Sequence, residues 1–343
     1  MTSRRTVTSD HIMRTAFAFW QSKTLLSAVE LGVFTQLAAA PLTARELADR
    51  LGLRSRAVYD FLDALVAAGL LHRHGDGTTA RYANTEATAT FLDRGSPRYL
   101  GAALELANER LYPFWGGLTE ALQTGQAQSE VRHGRAPFFD KLYADPDRAE
   151  LFLRGMAGVS SANFTALAEV FDFGPYRTVC DVGGAAGHLS ITLATRHPHL
   201  RCTTFDLPVV EPVARRTVES SAVADRITIA SGDFFTGPLP QADVITMCMI
   251  LHDWDLDRKI HLIRSAYAAL PPGGAFVVME NMIDDNRRLN LSALLSSLNM
   301  LIEFGDGFEF TMTDFRQWCA SAGFSKYETF PLTGTSSAAI AYK

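Results

Sequence analysis

The sequence predicts an α/β protein in which a doubly wound, mostly parallel sheet follows a smaller all-α, winged-helix domain. Three observations carry this. Five strand-like runs, 178–182, 201–207, 227–233, 244–251 and 275–281, alternate with segments of helical length and pattern, as a parallel sheet with helical crossovers requires. A glycine-rich turn, Gly183-Gly-Ala-Ala-Gly, joins the first run to the first crossover. Ahead of these, two short amphipathic helices and a glycine-bearing hairpin make a helix, turn, helix and wing. The expected boundaries are 1–95 for the winged-helix domain, 96–173 for a helical linker and 174–343 for the sheet domain.

Composition narrows the partners. At 343 residues and 47% hydrophobic, the chain can bury a large core. A net charge of −5 argues against a broad nucleic-acid or anionic-membrane surface, so a small-molecule ligand is expected. The first ten residues are polar with Arg4 and Arg5, no apolar h-region follows, and no apolar run approaches the roughly 20 residues that span a bilayer. No membrane partner and a cytoplasmic location are expected. Cys180, Cys202, Cys248 and Cys319 form no Cys-x-x-Cys pair, and the first three fall in strand runs. Neither a disulfide nor a thiolate zinc site is indicated.

From the N-terminus, 17–39 carries apolar residues at helical spacing, including Leu25, Leu26, Val29, Val33, Phe34 and Leu37. Thr43 with Glu46 three residues on has the spacing of a capping box, and Ser55 can cap a second helix running to Leu70. Gly75 and Gly77 supply the turn of the hairpin that follows. The second helix carries Arg56 beside Asp60 and Asp63, a poor surface for a phosphate-lined groove, so no nucleic acid is expected there. Phe17, Phe19 and Trp20 suit a large apolar interface with a second copy of the chain.

Residues 96–173 read as helices broken at Pro113, around Gly125 and Gly134, at Pro137 and at Pro146. Their large side chains, Phe114, Trp115, Phe138, Phe139, Tyr143, Phe152, Met156 and Phe164, are mostly core, with a few expected to line the ligand crevice.

That crevice belongs outside the carboxyl ends of the parallel strands. Asp181, Asp206, Asp233, His252 and Glu280 all fall at or beside those ends. Gly183, Gly184 and Gly187 let the backbone bend and approach a ligand, and the following helix offers free N–H groups. Asp206 stands where a ribose-binding acid would, and spacing alone leaves a dinucleotide open. Two features favour S-adenosylmethionine. Asp181 beside the glycine turn suits a cationic amino acid tail and repels a pyrophosphate. Asp233 and Phe234, in Gly232-Asp-Phe-Phe, suit an adenine amino group and ring.

Asp-Val-Gly-Gly-Ala-Ala-Gly-His at 181–188, Asp206-Leu-Pro, Gly232-Asp-Phe-Phe, Leu251-His-Asp-Trp-Asp and Pro272-Gly-Gly-Ala-Phe-Val-Val-Met-Glu occur in this order. The set resembles the S-adenosylmethionine-dependent O-methyltransferases of the caffeate and hydroxyindole type, including bacterial antibiotic-tailoring relatives, over nearly the whole chain. The resemblance implies a Rossmann-like class I methyltransferase domain and a homodimer formed through a winged-helix dimerisation domain, each copy closing over its partner's active site. It implies further that Gly183, Gly184 and Gly187 cradle the cofactor's amino acid part, Asp206 and Leu207 meet its ribose, and Asp233 and Phe234 take its adenine. His252 becomes the general base, flanked by Glu280 and Glu309. An imidazole can accept a proton from an acidic hydroxyl near neutral pH, and a carboxylate on one ring nitrogen fixes the tautomer. Trp115, Phe139, Met156, Met249, Asp253, Met300 and Phe304 are the expected substrate contacts, which suit a flat, apolar acceptor of secondary metabolism. His11, His72, His74, His133, His197, His199 and His261 lack such a setting and are expected to be solvated.

The chain departs from the family at Met247-Cys-Met-Ile, where plant relatives place a Lys, and at Ile302-Glu-Phe-Gly-Asp-Gly, which adds Glu303 and Asp306 near the pocket. The second departure opens an alternative: C-methylation of an α-keto acid, with iron or zinc held by His252, Asp253 and Asp306. The main expectation needs no metal.

Overall fold

A computed structural model describes residues 8–54, 56–132, 139 and 142–343. The chain divides into two compact units, Met1–Tyr112 and Pro113–Lys343, the break falling inside the segment expected to be the linker.

The first unit begins with helices α1 (Asp10–Ala16), α2 (Ala18–Leu31) and α3 (Val33–Gln36), so the single helix expected over 17–39 is divided at Gly32, which adopts a left-handed conformation. Strand β1 (Leu42–Thr43) leads into α4 (Ala44–Leu51), whose capping box closes through Thr43 and Glu46 as expected. Helix α5 (Val58–Ala67) precedes the wing, β2 (Leu71–His74) and β3 (Arg81–Asn84), and the small sheet runs β1-β3-β2. The cap expected of Ser55 lies outside the described residues. Val33, Phe34, Leu47, Leu65 and Tyr82 pack the unit's core. Ile12, Phe19 and Trp20 are 68%, 49% and 60% exposed, leaving an apolar stripe on α1 and α2 uncovered. Helices α6 (Glu86–Phe91) and α7 (Gly101–Leu106) and the π-helical turn Ala107–Leu111 complete the unit.

The second unit opens with α8 (Tyr112–Trp115), so Pro113 does not break the helix there. Helical backbone runs on from α7 through the π turn Ala107–Leu111 to Trp115, so the missing N–H of Pro113 falls just after the widened π turn. The break comes after α8, at Gly116 and Gly117, and α9 (Leu118–Thr124) stops at the left-handed Gly125 as expected. The breaks expected at Gly134 and Pro137 lie outside the described residues. Helix α10 (Pro146–Val170) starts on its proline.

The sheet follows: β4 (Thr178–Val182), α11 (His188–Arg196), β5 (Arg201–Asp206), α12 (Glu211–Glu219), β6 (Ile227–Ser231), β7 (Val244–Cys248), α13 (Leu256–Ala269), β8 (Ala275–Glu280), α14 (Leu291–Phe304), α15 (Met312–Ala322), β9 (Lys326–Pro331) and β10 (Ser337–Tyr342). Strand order is β6-β5-β4-β7-β8-β10-β9, with β4 to β8 parallel and β10 antiparallel to both β8 and β9. The order reverses between β4 and β7, which opens a crevice at their carboxyl ends. Cys180, Val182, Ile245, Met247 and Val278 pack one face against Leu262, Ile263 and Phe315. The alternate residues Val179, Val244, Val277 and Met279 pack the other against Leu167, Leu189 and Leu193. Burying both faces stabilises the sheet by roughly 1.5–3 kcal/mol for each large aliphatic side chain. No described helix is long and apolar enough to cross a membrane.

Candidate active site

Where β4 ends, the chain turns through Gly183 at φ +72°, and the N–H groups of Gly183 and Gly184 donate to the Phe205 carbonyl at 2.9 and 3.2 Å, lashing the turn to β5. A Cβ on Gly183 would meet Ile250 Cδ1 at 2.3 Å, and at φ +72° any side chain would strain the backbone. Asp206, closing β5, accepts from the N–H of Ala185 at 2.8 Å and of Leu207 at 2.7 Å. Burial pushes its carboxyl up to about 6, against those two hydrogen bonds. Asp181 accepts from Thr246 Oγ1 at 2.8 Å, and burial pushes it up to about 7. Two carboxyls so raised on one glycine turn are matched to a ligand that brings positive charge and hydroxyl donors.

A cavity of about 340 Å³ lies over this turn. Asp181, Gly183, Gly184, Asp206, Leu207, Asp233 and Phe234 line it, as expected from the sequence; Gly187 instead caps α11 from beneath. Phe139, Tyr143, Phe152, Met156, Phe164 and Trp254 also line the cavity. Burial, with Asp206 and Asp253 adding to it, raises Tyr143 far above the ordinary phenol range. Ala185 and Met249 also line the cavity, and both hold positive φ, 47° and 56°. Backbone held in that region by non-glycine residues concentrates at ligand sites.

Strand β7 ends in a 3-10 turn, Leu251–Asp253, that carries the candidate base. Glu280, at the end of the neighbouring β8, accepts from the N–H groups of Ile250, Leu251 and His252 through one oxygen, at 3.2, 3.0 and 3.4 Å. This clamp orients the turn. His252 is 2% exposed. Its Nδ1 lies 2.9 Å from both Glu280 Oε2 and Glu309 Oε1, and its Nε2 lies 3.2 Å from Asp253 Oδ1. Ser296 Oγ donates to the same Glu309 oxygen at 2.7 Å. Burial opposes charge on the ring, yet Glu280, Glu309 and Asp253 outweigh it and hold the imidazole well above its ordinary value. Burial in turn raises Glu280 and Asp253. His252 itself does not line the cavity; Asp253, on its Nε2 side, does.

Several expected contacts sit elsewhere. Trp115 donates its indole N–H to Asn299 at 2.9 Å, Met300 is buried on α14, and neither lines the cavity. Phe304 backs the wall, its ring 6.0 Å from that of Phe139. Glu303 is buried and accepts from Asn299 at 2.7 Å. Asp306 is exposed and outside the carboxylate group around His252, so the metal set His252, Asp253 and Asp306 is not assembled. Among the described residues, the three groups whose ligand atoms converge within 4.8 Å are His252, Glu280 and Glu309, joined at Nδ1 by hydrogen-bond distances. His197 and His199 are not merely solvated: each sets Nε2 against a backbone carbonyl, of Ala168 and Phe173, at 3.0 and 3.1 Å.

Sequence reasoning missed Ser160, His188, Arg258 and Lys259. The first three line the cavity, and His188 follows the glycine motif directly, a signal that was readable. Lys259 is fully buried on α13, and its place three and four residues ahead of the buried Leu262 and Ile263 was a readable helical-periodicity signal.

Residues 115–325 match the model of the O-methyltransferase domain, and residues 13–94 match that of the O-methyltransferase dimerisation domain. The chain is 43% identical over 332 residues to the tetracenomycin polyketide synthesis 8-O-methyl transferase TcmO of Streptomyces glaucescens, covering 97% of this chain and 96% of that protein. It is 36% identical to the N,N-dimethyltransferase OxyT of Streptomyces rimosus, over 91% of this chain and 90% of that one. Human N-acetylserotonin methyltransferase, solved in complex with SAM, superimposes with a TM-score of 0.91 at 30% identity, covering 100% of this chain and 99% of that one.

Proposed function

The chain belongs to the O-methyltransferase family and is an S-adenosylmethionine-dependent methyltransferase, and we propose that it methylates a phenol-like hydroxyl on a small aromatic, polyketide-like metabolite with His252 as general base. The observation that carries this reading is the His252 ring, held by Glu309 at Nδ1 and turned at Nε2 toward Asp253 on the cavity wall. The metal-dependent C-methylation alternative is not supported, since Asp306 lies outside the site.

S-adenosylmethionine, when bound, supplies a sulfonium methyl group as electrophile. The glycine turn and the raised carboxyls fit it: Asp181 for the cationic amino acid tail, Asp206 for ribose hydroxyls, and Asp233 with Phe234 for adenine. The chain's own contribution is position, dryness and a proton acceptor. Aromatic walls at Phe139, Tyr143, Phe152 and Trp254 hold a flat acceptor and exclude water. With the Nδ1 proton donated to Glu309, Nε2 of the neutral ring accepts a hydroxyl proton once the substrate displaces it from Asp253, 3.2 Å away. Its raised pKa narrows the gap to a phenol near 10, which makes it the stronger base for that substrate. The polyketide named for TcmO suggests the acceptor class.

The exposed stripe of Ile12, Phe19 and Trp20, within the segment that matches a dimerisation domain, supports a homodimer formed through the N-terminal unit. The four free cysteines support a cytoplasmic location, and the cavity residues of 139–164 support the assignment of 96–173 as a segment contributing to the substrate pocket. The test is methyl transfer from S-adenosylmethionine to a panel of polycyclic phenols and matched arylamines, followed by mass spectrometry. Transfer to oxygen that disappears in His252→Ala, with S-adenosylhomocysteine binding intact, supports the reading. Full turnover in His252→Ala removes the base.

A further inference from the structure

Three carboxylates crowd one imidazole here, and a cation is buried beside them. Lys259 has no exposed surface, although it stands on α13, a helix whose other face meets solvent. Its ammonium donates to the carbonyl of Trp254, next in sequence to Asp253. It also lies 3.6 Å from the centre of the Phe308 ring, next in sequence to Glu309. One side chain thus holds two of the three segments that carry acids to His252. Gly307 lets those segments meet, since a Cβ there would stand 2.7 Å from the carbonyl oxygens of His252 and Asp253.

We infer that Lys259 is a positioning residue for His252: its buried ammonium braces the 252–254 turn against the Glu309 loop and supplies the positive charge that keeps Asp253, Glu280 and Glu309 from locking the imidazole in its protonated form. The inference rests on His252 as base. A buried ammonium is costly, so it persists where it is compensated. The groups acting on it are the carboxylates of Glu280, Asp253, Glu309 and Asp255, which together oppose the downward push of burial and leave it at about 8. It is therefore largely charged at neutral pH. The other ionisable group acting at the ring is the Cys248 thiol from β7, which burial keeps neutral. Lys259 thus sets a positive charge against the same three acids that act on His252. The acids it faces are the ones that raise the ring, so its charge offsets theirs.

The sign is definite. Removing a positive neighbour favours the imidazolium, so in Lys259→Met the neutral ring appears at higher pH. The acid limb of kcat/KM moves up by about one unit, so that below the limb the rate falls about tenfold while the high-pH plateau stays within a few-fold. The His252 ring titration, followed by NMR of histidine-labelled enzyme without substrate, moves by the same amount. Lys259→Arg, which keeps the charge, leaves both close to wild type. Calorimetry with S-adenosylhomocysteine shows the cofactor site intact. A folded Lys259→Met enzyme with an unmoved limb and an unmoved ring titration overturns the inference, because a merely structural lysine lowers Tm alone. Should the Met variant not fold, a shift in Lys259→Arg as large as about one unit overturns it as well, and an unshifted Arg enzyme supports it. Failure of the underlying reading is distinguishable: His252→Ala then retains turnover whatever Lys259 does.

Discussion

The carbonyl oxygen of His252 lies 2.7 Å from where a Cβ on Gly307 would stand. The loop carrying Glu309 therefore rests on the turn carrying the base, and the hydrogen bond from Nδ1 to Glu309 at 2.9 Å depends on that approach. Gly307→Ala forces the two apart. The expected result is a kcat at least ~10-fold lower, a barrier rise of about 1.4 kcal/mol or more, with affinity for S-adenosylhomocysteine little changed. Steady-state kinetics and calorimetry on the variant decide it, and an unaltered kcat would show that the loop's position is unimportant.

The pH dependence follows from the acids at Nδ1 and Nε2. A base works in its deprotonated form, present above its pKa, and the His252 pKa is held well above 6.5. Activity should therefore be low at pH 6 and rise through a limb displaced above 6.5. A kcat/KM profile already flat from pH 6 upward contradicts the assignment.

Glu280 separates charge from architecture. Glu280→Ala removes the acceptor shared by the N–H groups of Ile250, Leu251 and His252, and buried donors left unpaired cost roughly 1–3 kcal/mol each. A loss of about 3 kcal/mol or more in denaturant unfolding is expected. Glu280→Gln keeps an oxygen and removes the charge, so it costs less stability and moves the acid limb to lower pH, opposite to Lys259→Met. Limbs moving the same way in both variants would contradict this electrostatic account.

At the other end of the cavity, burial leaves the Asp181 carboxyl at about 7. A cationic ligand tail lowers it, so binding of S-adenosylhomocysteine near pH 7 should release a substantial fraction of a proton. Calorimetry in buffers of different ionisation enthalpy measures this directly, and Asp181→Asn should abolish that release and weaken binding. Binding with no proton release in the wild type would remove the proposed contact.

Trp20 is 60% exposed beside Phe17, their ring centres 4.5 Å apart. Placing a charge there by Trp20→Glu should convert a dimer to a monomer in light scattering while leaving the fold by circular dichroism unchanged. A dimer that survives the substitution lies elsewhere on the surface.

The sequence alone determined what is local. Strand and crossover alternation shows which residues face the core, and five runs matched β4 to β8 within a few residues because buried parallel strands are uniformly apolar. The Gly183 turn, the Thr43 capping box and the strand-end acids were legible because each is a short arrangement with its own chemistry. Tertiary structure decided what depends on distant residues meeting. The antiparallel insertion of β10 between β8 and β9 left no mark in crossover spacing. Trp115 turned to Asn299, 184 positions away, instead of the cavity. Asp306 stayed in solvent, while Lys259, an ordinary polar letter in an amphipathic helix, came to rest between Trp254 and Phe308. Periodicity records which face of an element is buried; only the converging ends of β7 and β8, the 307–309 loop and α13 determine which charges share that burial.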